Sequence, residues 1–406
     1  MTISKQEIII SQNPTREQLE SIYDLLGDVF SLGRAFFQER MDFDSSYDAA
    51  TTWFASVDGT IASTVQIFPL HIRVGKASLK IGAMGSVGTN PNFRGMGLAH
   101  KILNDQTDWM KSEDYDLSLL LASIHPFYEK VGWRLIPEKA YSIPRPTVAP
   151  SNTSLDIIPF EPAYLDDLRA IYEQFNNERT YTVIRDEAYW DDLMKWPLWK
   201  NNDCLMIRKD ERIVAYGILE KADKDNLFIH EFAYLPEAEE DVVDLLLALC
   251  QRCPQAQQIF SMLAEDHCIT TFFKEQAATE HVINVAMWKK INFNSTFTKL
   301  QPELEARLQR NEHIATQPLH LDLYSADEHI YLDYEQQKLT ISQVSKQDAT
   351  YIPFVVDEVQ LISYIIWGYE AANDGSEEVI VGDEASRILQ ALFPKQNATF
   401  YFSDRF

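Results

Sequence analysis

Ser86-Val87-Gly88-Thr89-Asn90-Pro91-Asn92-Phe93-Arg94-Gly95-Met96-Gly97-Leu98-Ala99 reads as the end of a strand, a tight glycine-bearing turn and the first residues of a helix. Backbone N–H groups at a helix start have no partners inside the helix. The aligned peptide dipoles add partial positive charge at the same end. Gly95 and Gly97 let an anion such as a pyrophosphate approach the backbone closely. Arg94 supplies a charge-assisted contact or shapes the loop. Two glycines by themselves suit an ordinary strand–turn–helix junction equally well, so the flanks decide.

Upstream, Thr15-Arg16-Glu17-Gln18 after Pro14 forms a capping-box pattern, and Leu19, Ile22, Leu25, Leu26 and Val29 fall on one helical face. Two apolar strands follow, joined at Asp58-Gly59, a strong hairpin signal. A third strand is expected over about residues 79–89. Downstream, Leu98, Ile102, Leu103, Trp109 and Met110 give the new helix an apolar side. Leu117 to Ala122 is a short continuous apolar run, the mark of a strand buried on both faces. Ser123-Ile124-His125-Pro126-Phe127-Tyr128 and Gly132-Trp133 complete the region.

The whole stretch resembles the coenzyme A signature of the GCN5-related N-acetyltransferase (GNAT) superfamily, in which Arg or Gln, then Gly, then Gly or Ala recur at fixed spacing between a strand and a helix. Arg94, Gly97 and Ala99 occupy those places, after Pro91. Tyr128 and Gly132-Trp133 match the aromatic segment that places a tyrosine near the thioester sulfur. The resemblance implies acetyl-CoA as co-substrate and no metal. It implies a cofactor surface built from Ser86, Val87, Gly88, Arg94, Gly95, Met96, Gly97, Leu98, Ala99 and Ser123. Tyr128 would give a proton to the leaving thiolate, a task that suits a phenol of pKa about 10. His125 is a rival acid or base three residues away. The cationic-substrate side is expected to include Asp28, Phe36, Phe37 and Trp53, with Glu39 and Trp133 as further candidates.

Pro144, Pro146 and Pro150 mark a linker, after which a similar order recurs: a helical stripe from Leu165, a hairpin turning near Asp210, a strand ending at Pro236, and a leucine-rich helix to Cys250. Where the phosphate turn should recur stands Glu237-Ala238-Glu239-Glu240-Asp241, whose carboxylates repel pyrophosphate. From about Asn292 the pattern changes to a polar helix over Gln301–Asn311, alternating strands, and helices over Asp357–Ala371 and Asp383–Phe393. The expected fold class is α+β, with a GNAT domain over 1–148, a degenerate GNAT domain over 149–291 and a further α+β domain over 292–406. This layout resembles the enhanced intracellular survival acetyltransferase family. That likeness implies a sterol-carrier-like third domain, a homo-oligomer (a hexamer), and the carboxylate of the last residue, Phe406, as general base. A free α-carboxylate titrates near 3.3–3.7, and an aromatic, desolvated setting raises it.

Composition bounds the partners. The 406 residues are enough for two or three domains, and 46% hydrophobic with 12% aromatic residues fits a folded chain. The net charge of −25 argues against nucleic acid and anionic membrane as partners, and leaves room for a cationic amine. Met1-Thr2-Ile3-Ser4-Lys5 starts no secretory leader, and no apolar run nears the ~20 residues of a membrane span, so a cytoplasmic protein is expected. Cys250, Cys253 and Cys268 mimic zinc spacing, yet Cys250 ends an apolar helix, and buried thiols are expected. The amine would belong to a polyamine, an aminoglycoside-like molecule or a lysine side chain. Two other functions fit the same residues: a peptide acyltransferase of the N-myristoyltransferase type, and a non-catalytic acyl-CoA or lipid binder.

Overall fold

The computed structural model describes residues 6–152, 154–220, 225–315, 317–325, 328–373 and 383–406. The first third runs β1 (Ile8–Gln12), α1 (Arg16–Val29), α2 (Arg34–Asp42), β2 (Thr52–Val57), β3 (Thr60–Val74), β4 (Ala77–Thr89), α3 (Leu98–Ser112), β5 (Leu117–Leu121), α4 (His125–Glu129), β6 (Arg134–Leu135) and β7 (Glu138–Pro144). The middle third is β8 (Asp156–Pro159), α5 (Leu165–Asn176), β9 (Thr180–Val183), α6 (Glu187–Leu193), α7 (Pro197–Lys200), β10 (Asp203–Lys209), β11 (Arg212–Leu219), β12 (Asn226–Tyr234), α8 (Val242–Gln251), β13 (Gln258–Ser261), α9 (Cys268–Glu275), β14 (Thr279–Ile283) and β15 (Ala286–Lys290). The last third holds α10 (Phe293–Arg310), β16 (Leu319–Ser325), β17 (Glu328–Glu335), β18 (Lys338–Ser342), β19 (Ile352–Val355), α11 (Glu358–Trp367), α12 (Tyr369–Asn373) and α13 (Asp383–Leu392).

Local chemistry explains the starts and turns. Thr15 and Gln18 exchange side-chain and backbone hydrogen bonds, the capping box that opens α1. Asp58 and Gly59 both take positive φ (49° and 82°), as do Asp210 and Glu211 (47° and 63°), so the β2–β3 and β10–β11 hairpins turn in the same way. Two elements depart from the sequence expectation. Helix α10 begins at Phe293 rather than near Gln301 and continues through Pro302. Asn292 caps it by accepting from Ser295 N, and Phe293, Phe297, Leu300, Leu304 and Leu308 form a buried stripe. That burial outweighs the ~3 kcal/mol cost of an interior proline. The expected helix over Asp357–Ala371 is broken at Gly368, whose φ is 93° and where a Cβ would lie 2.4 Å from the Pro394 carbonyl oxygen.

Among the described residues the strands form three sheets, ordered β1-β2-β3-β4-β5-β15-β6 with β9 against β3, then β14-β7-β13-β12-β11-β10-β8, and β18-β17-β16-β19. The first two sheets trade strands. β15 comes from the middle third yet lies between β5 and β6, while β7 comes from the first third and lies between β13 and β14. The exchange spans the linker at Pro144–Pro150 and interlocks the two units.

One face of the first sheet shares a core with α1, α2 and the last third, joining Leu26, Phe37, Phe68, Leu119, Phe297 and Ile365. The other face packs on α3 through Val65, Met84, Ile102, Leu120 and Trp133. The three units are therefore joined by both hydrogen-bonded strands and shared apolar burial.

Candidate active site

Strands β4 and β5 run parallel only from Ile81–Leu117 to Met84–Leu120. Beyond that point Leu121 pairs with Ala286 on β15, and β4 continues to Thr89 away from β5. A bulge marks the parting: Gly85 faces Gln66 and Gly88 faces Thr64, so Ser86 and Val87 share the place opposite Val65, and Ser86 takes φ 51°. On its β5 side, the backbone of Gly85 to Thr89 thus has no neighbouring strand, while β3 stays paired on the other side.

The glycine turn lies at the end of this free edge. Asn90 accepts from Asn92 N (3.0 Å) and starts a single 3-10 turn over Pro91–Phe93. Arg94 donates through Nε to the Thr89 carbonyl (3.4 Å) and so shapes the loop. Gly97 caps α3 in the left-handed conformation (φ 73°, ψ 15°), with no side-chain capping bond at that helix start. A Cβ on Gly95 or Gly97 would meet nothing within 4 Å, so space lies open in front of both. An uncapped helix start behind two glycines fits an anionic phosphate group. Leu98 and Ala99 are buried under the turn; Met96 is half-buried. Ser123 is exposed just past β5.

Tyr128 sits on α4, 7% exposed, its ring edge-on to Phe127 (4.9 Å). Burial pushes its phenol up to about 12, so it keeps its proton at neutral pH. Two ties hold α4. His100 on α3 meets the Phe127 carbonyl through Nε2 at 2.9 Å. Lys289, on the exchanged strand β15, donates to the Val131 carbonyl (2.7 Å) and Thr107 Oγ1 (2.9 Å) and lies 4.5 Å over the Trp133 ring. Burial lowers the Lys289 ammonium to about 8. His125 is engaged elsewhere: its Nε2 reaches the carbonyls of Ala122 (3.2 Å) and Asn284 (2.9 Å), closing the loop to the strand crossover. Trp133 is fully buried, its indole N–H on Ser118 Oγ (3.3 Å).

The chain end comes to the same sheet. The Phe406 ring lies 6.0 Å from Phe68 and 6.3 Å from Phe400. A Cβ on Gly85 would come within 3.3 Å of Phe406 Cδ2, so the bare backbone at the parting point makes room for the terminal ring. Of the residues expected on the substrate side, Phe36 and Phe37 join Phe30 in an aromatic cluster of the core that Phe406 packs against. Asp28 is exposed at the end of α1. Glu39 pairs with Lys200 (2.6 Å). Trp53 is not brought to them, because alternation along β2 turns it to the α3 face, where its indole N–H bonds the Ala50 carbonyl (3.1 Å).

In the middle third, the acidic stretch forms a 3-10 turn over Pro236–Asp241 leading into α8. Lys209 pairs with Asp241 (2.5 Å), and Asp244 accepts from the backbone of Ser151 (2.6 Å) and Asn152 (3.0 Å). Replacing Glu239 with alanine should leave acetyl-CoA affinity unchanged in a calorimetric titration; a clear loss would place a cofactor here. Cys250 and Cys253 are buried, and burial raises the Cys250 thiol to about 12.

A separate cavity of about 1000 Å³ opens where the three units meet, walled by Ile136, Glu138, Met262, Trp367 and Phe400 among others. Burial raises the Glu138 carboxyl to about 7, against an opposing pull from Arg405. The folded state therefore holds this proton more tightly than the unfolded chain. The stability so gained is full below about pH 4.5 and lost as pH rises through about 7. Glu138→Gln should match wild type in urea melts at pH 4 and exceed it at pH 8 by on the order of 3 kcal/mol. Equal stability at pH 8 would show that the carboxyl is solvated.

The acetyltransferase (GNAT) domain model matches residues 12–136, a range that spans α1 to α4 and includes the glycine turn and Tyr128. No curated protein matches the chain. Its fold is similar over nearly its whole length to solved structures of low identity. A conserved protein of unknown function from Enterococcus faecalis V583, a probable N-acyltransferase, superposes with TM-score 0.72 at 17% identity, over 99% of this chain and 100% of that one. A GCN5-related N-acetyltransferase from Anabaena variabilis ATCC 29413 gives 0.71 at 15%, over 97% and 99%. Eis1 from Mycobacterium abscessus gives 0.63 at 14%, over 98% and 100%. Among the described residues, no helix is long and apolar enough to cross a membrane. Residues 12–136 thus carry an acetyltransferase (GNAT) domain, on a frame whose fold is similar along nearly the whole chain to these proteins.

Proposed function

We propose that this chain moves the acetyl group of acetyl-CoA to a primary amine of a cationic small molecule, polyamine or aminoglycoside-like, or of a lysine side chain. The observation that carries this reading is the parting of β4 from β5 beside the uncapped start of α3. Arg94, Gly95, Met96, Gly97, Leu98 and Ala99 would take the pyrophosphate. The β4 backbone at Ser86, Val87 and Gly88 would hold the pantetheine arm, with Ser123 across the opening. Tyr128 holds the proton that the departing thiolate takes. The terminal carboxylate of Phe406, beside Gly85, would accept the proton of the attacking amine, directly or through water. Phe36, Phe37 and Asp28 would border the amine's approach.

In this reading, residues 149–291 are a degenerate GNAT repeat without cofactor, because carboxylates stand in place of the phosphate turn. Residues 292–406 form a sterol-carrier-like unit that delivers the chain end. The family likeness supports assembly into a homo-oligomer, and the lack of a long apolar run in the sequence supports a place in the cytoplasm. The test is direct: incubate the protein with acetyl-CoA and a panel of polyamines, aminoglycosides and lysine-bearing peptides, and follow free thiol. Thiol release that depends on the amine supports the reading. None across the panel, with acetyl-CoA bound, would mark a binder.

A further inference from the structure

The last nine residues are held mainly by the middle unit. Ala398 bridges to Thr180, and Thr399 N donates to the Thr180 carbonyl (3.0 Å). Tyr401 donates through its hydroxyl to Asn176 Oδ1 (3.1 Å). A 3-10 turn over Phe402–Asp404 then reverses the chain and leaves Phe406 against Phe68 and Gly85 of the first unit.

The place where this turn rests has a counterpart in the first unit. β12 and β13 are parallel only from Asn226–Gln258 to Phe228–Phe260, and β12 continues to Tyr234 paired with β11 alone, as β4 continues beyond β5 paired with β3 alone. Phe402 lies over Phe228 (5.2 Å) and His230 (5.4 Å) on β12, and Arg405 reaches Met262 Sδ (3.4 Å), just past β13. The terminal turn therefore occupies the gap that, in the first unit, forms the opening beside β4.

At its centre is an ion cluster with no exposed side chain. Arg185 Nε and Nη2 donate to the two Asp404 oxygens at 2.8 Å each, and Nη1 and Nη2 donate to the Glu231 oxygens at 2.9 and 2.6 Å. Tyr189 donates to Asp404 (3.0 Å), and Tyr216 to Glu231 (2.5 Å). Tyr172 and Trp190, edge-on to each other, lie 4.0 and 4.7 Å from the guanidinium. Arg185 itself follows β9, which pairs with β3 of the first sheet, and Ile184 N bonds the His71 carbonyl (2.7 Å). One guanidinium thus ties the first sheet, the β12 strand and the chain end. Planar bidentate bonds fix direction as well as distance.

We propose that the middle unit is a holder for the chain's own end: its β12–β13 gap grips the terminal turn through Arg185, Glu231 and Asp404 and thereby sets where the Phe406 carboxylate stands in the first unit. Arg185 and Asp404 are positioning residues. The proposal rests on the reading of that carboxylate as the base. It gives the second unit a task that needs no cofactor. Asp404→Ala is the informative change, because it frees the tail and leaves Arg185 paired with Glu231. Asp404→Asn, which keeps the volume and one acceptor, is read the same way if the alanine variant does not fold.

Two measurements on the full chain decide it. The first is release of Phe406 by carboxypeptidase A, followed by intact mass. The second is kcat in a cycle that combines Asp404→Ala with a short extension after Phe406. The wild-type end should resist release, and the variant's should go at least about tenfold faster, in line with the loss of local protection. Asp404→Ala should lower kcat about tenfold or more with acetyl-CoA affinity unchanged. The extension should lower kcat in the wild-type chain but add little in the variant, since both act through one group. A folded variant with wild-type kcat and a protected end overturns the holder. An extended wild-type chain at full kcat instead overturns the carboxylate as base, and the release assay still reports separately whether Asp404 holds the end.

Discussion

Tyr128→Phe is expected to lower kcat by about 10²–10⁴-fold, the usual worth of a positioned general acid. Acetyl-CoA affinity should stay near wild type. The ring would still pack against Phe127, and the ties from His100 and Lys289 go to the backbone and to other residues, so α4 keeps its place. Only the hydroxyl is lost. With its phenol raised to about 12 by burial, Tyr128 carries its proton throughout the neutral range. The wild-type rate should therefore show no alkaline fall from this group below about pH 11. Single-turnover rates with saturating acetyl-CoA, set beside a calorimetric titration, separate the two effects. A variant with the wild-type rate and pH profile would make Tyr128 a packing residue and leave water to protonate the thiolate.

Gly97→Glu should abolish acetyl-CoA binding. Nothing lies within 4 Å of a Cβ at this position, so the protein itself does not resist the side chain. The left-handed backbone there costs a non-glycine residue roughly 1–2 kcal/mol, which a folded domain can absorb. The carboxylate would stand in front of the α3 start, where the partial positive charge should meet phosphate, and both fill and repel that space. Gly97→Ala imposes the same backbone strain without the charge. It should bind far better than Gly97→Glu. Normal binding by folded Gly97→Glu would move the pyrophosphate elsewhere.

The difference between what the sequence revealed and what it hid follows sequence distance. The capping box at Thr15, the paired turns at Asp58 and Asp210, and the strand–turn–helix around Gly97 are each settled by neighbours a few residues apart, and each is present in the structure. Phe400, Tyr401, Phe402 and Phe406 each pack against other rings in the structure, as so much clustered apolar surface favours. Lys289, Arg185 and Asp404 gave no local signal. Their partners lie 158 residues away for Lys289 to Val131, and 219 for Arg185 to Asp404. A lone lysine or arginine in a strand or loop looks the same whether solvated or clamped. Trp53 and Phe37 both looked like pocket aromatics; only strand alternation, which puts Phe54 rather than Trp53 on the Phe37 side, separates them. The trading of β7 for β15 was also invisible, since either strand would satisfy the pairing pattern of either sheet.

That trade has a consequence for how the protein is made. The first sheet is incomplete until Ala286–Lys290 has been synthesised, because β6 reaches β5 only across β15. A nascent chain that has finished residues 1–148 would leave the outer backbone edge of β5, Leu117–Leu121, unpaired. The early folding seen for independent N-terminal domains on the ribosome is thus denied to this one. The closing contacts are of high sequence separation, which slows folding and lengthens exposure of that edge. Once closed, the same linkage works in the opposite direction. A protease nick between Pro146 and Pro150 would leave two fragments, each carrying a strand seated in the other's sheet, and they should stay together as a complementing pair.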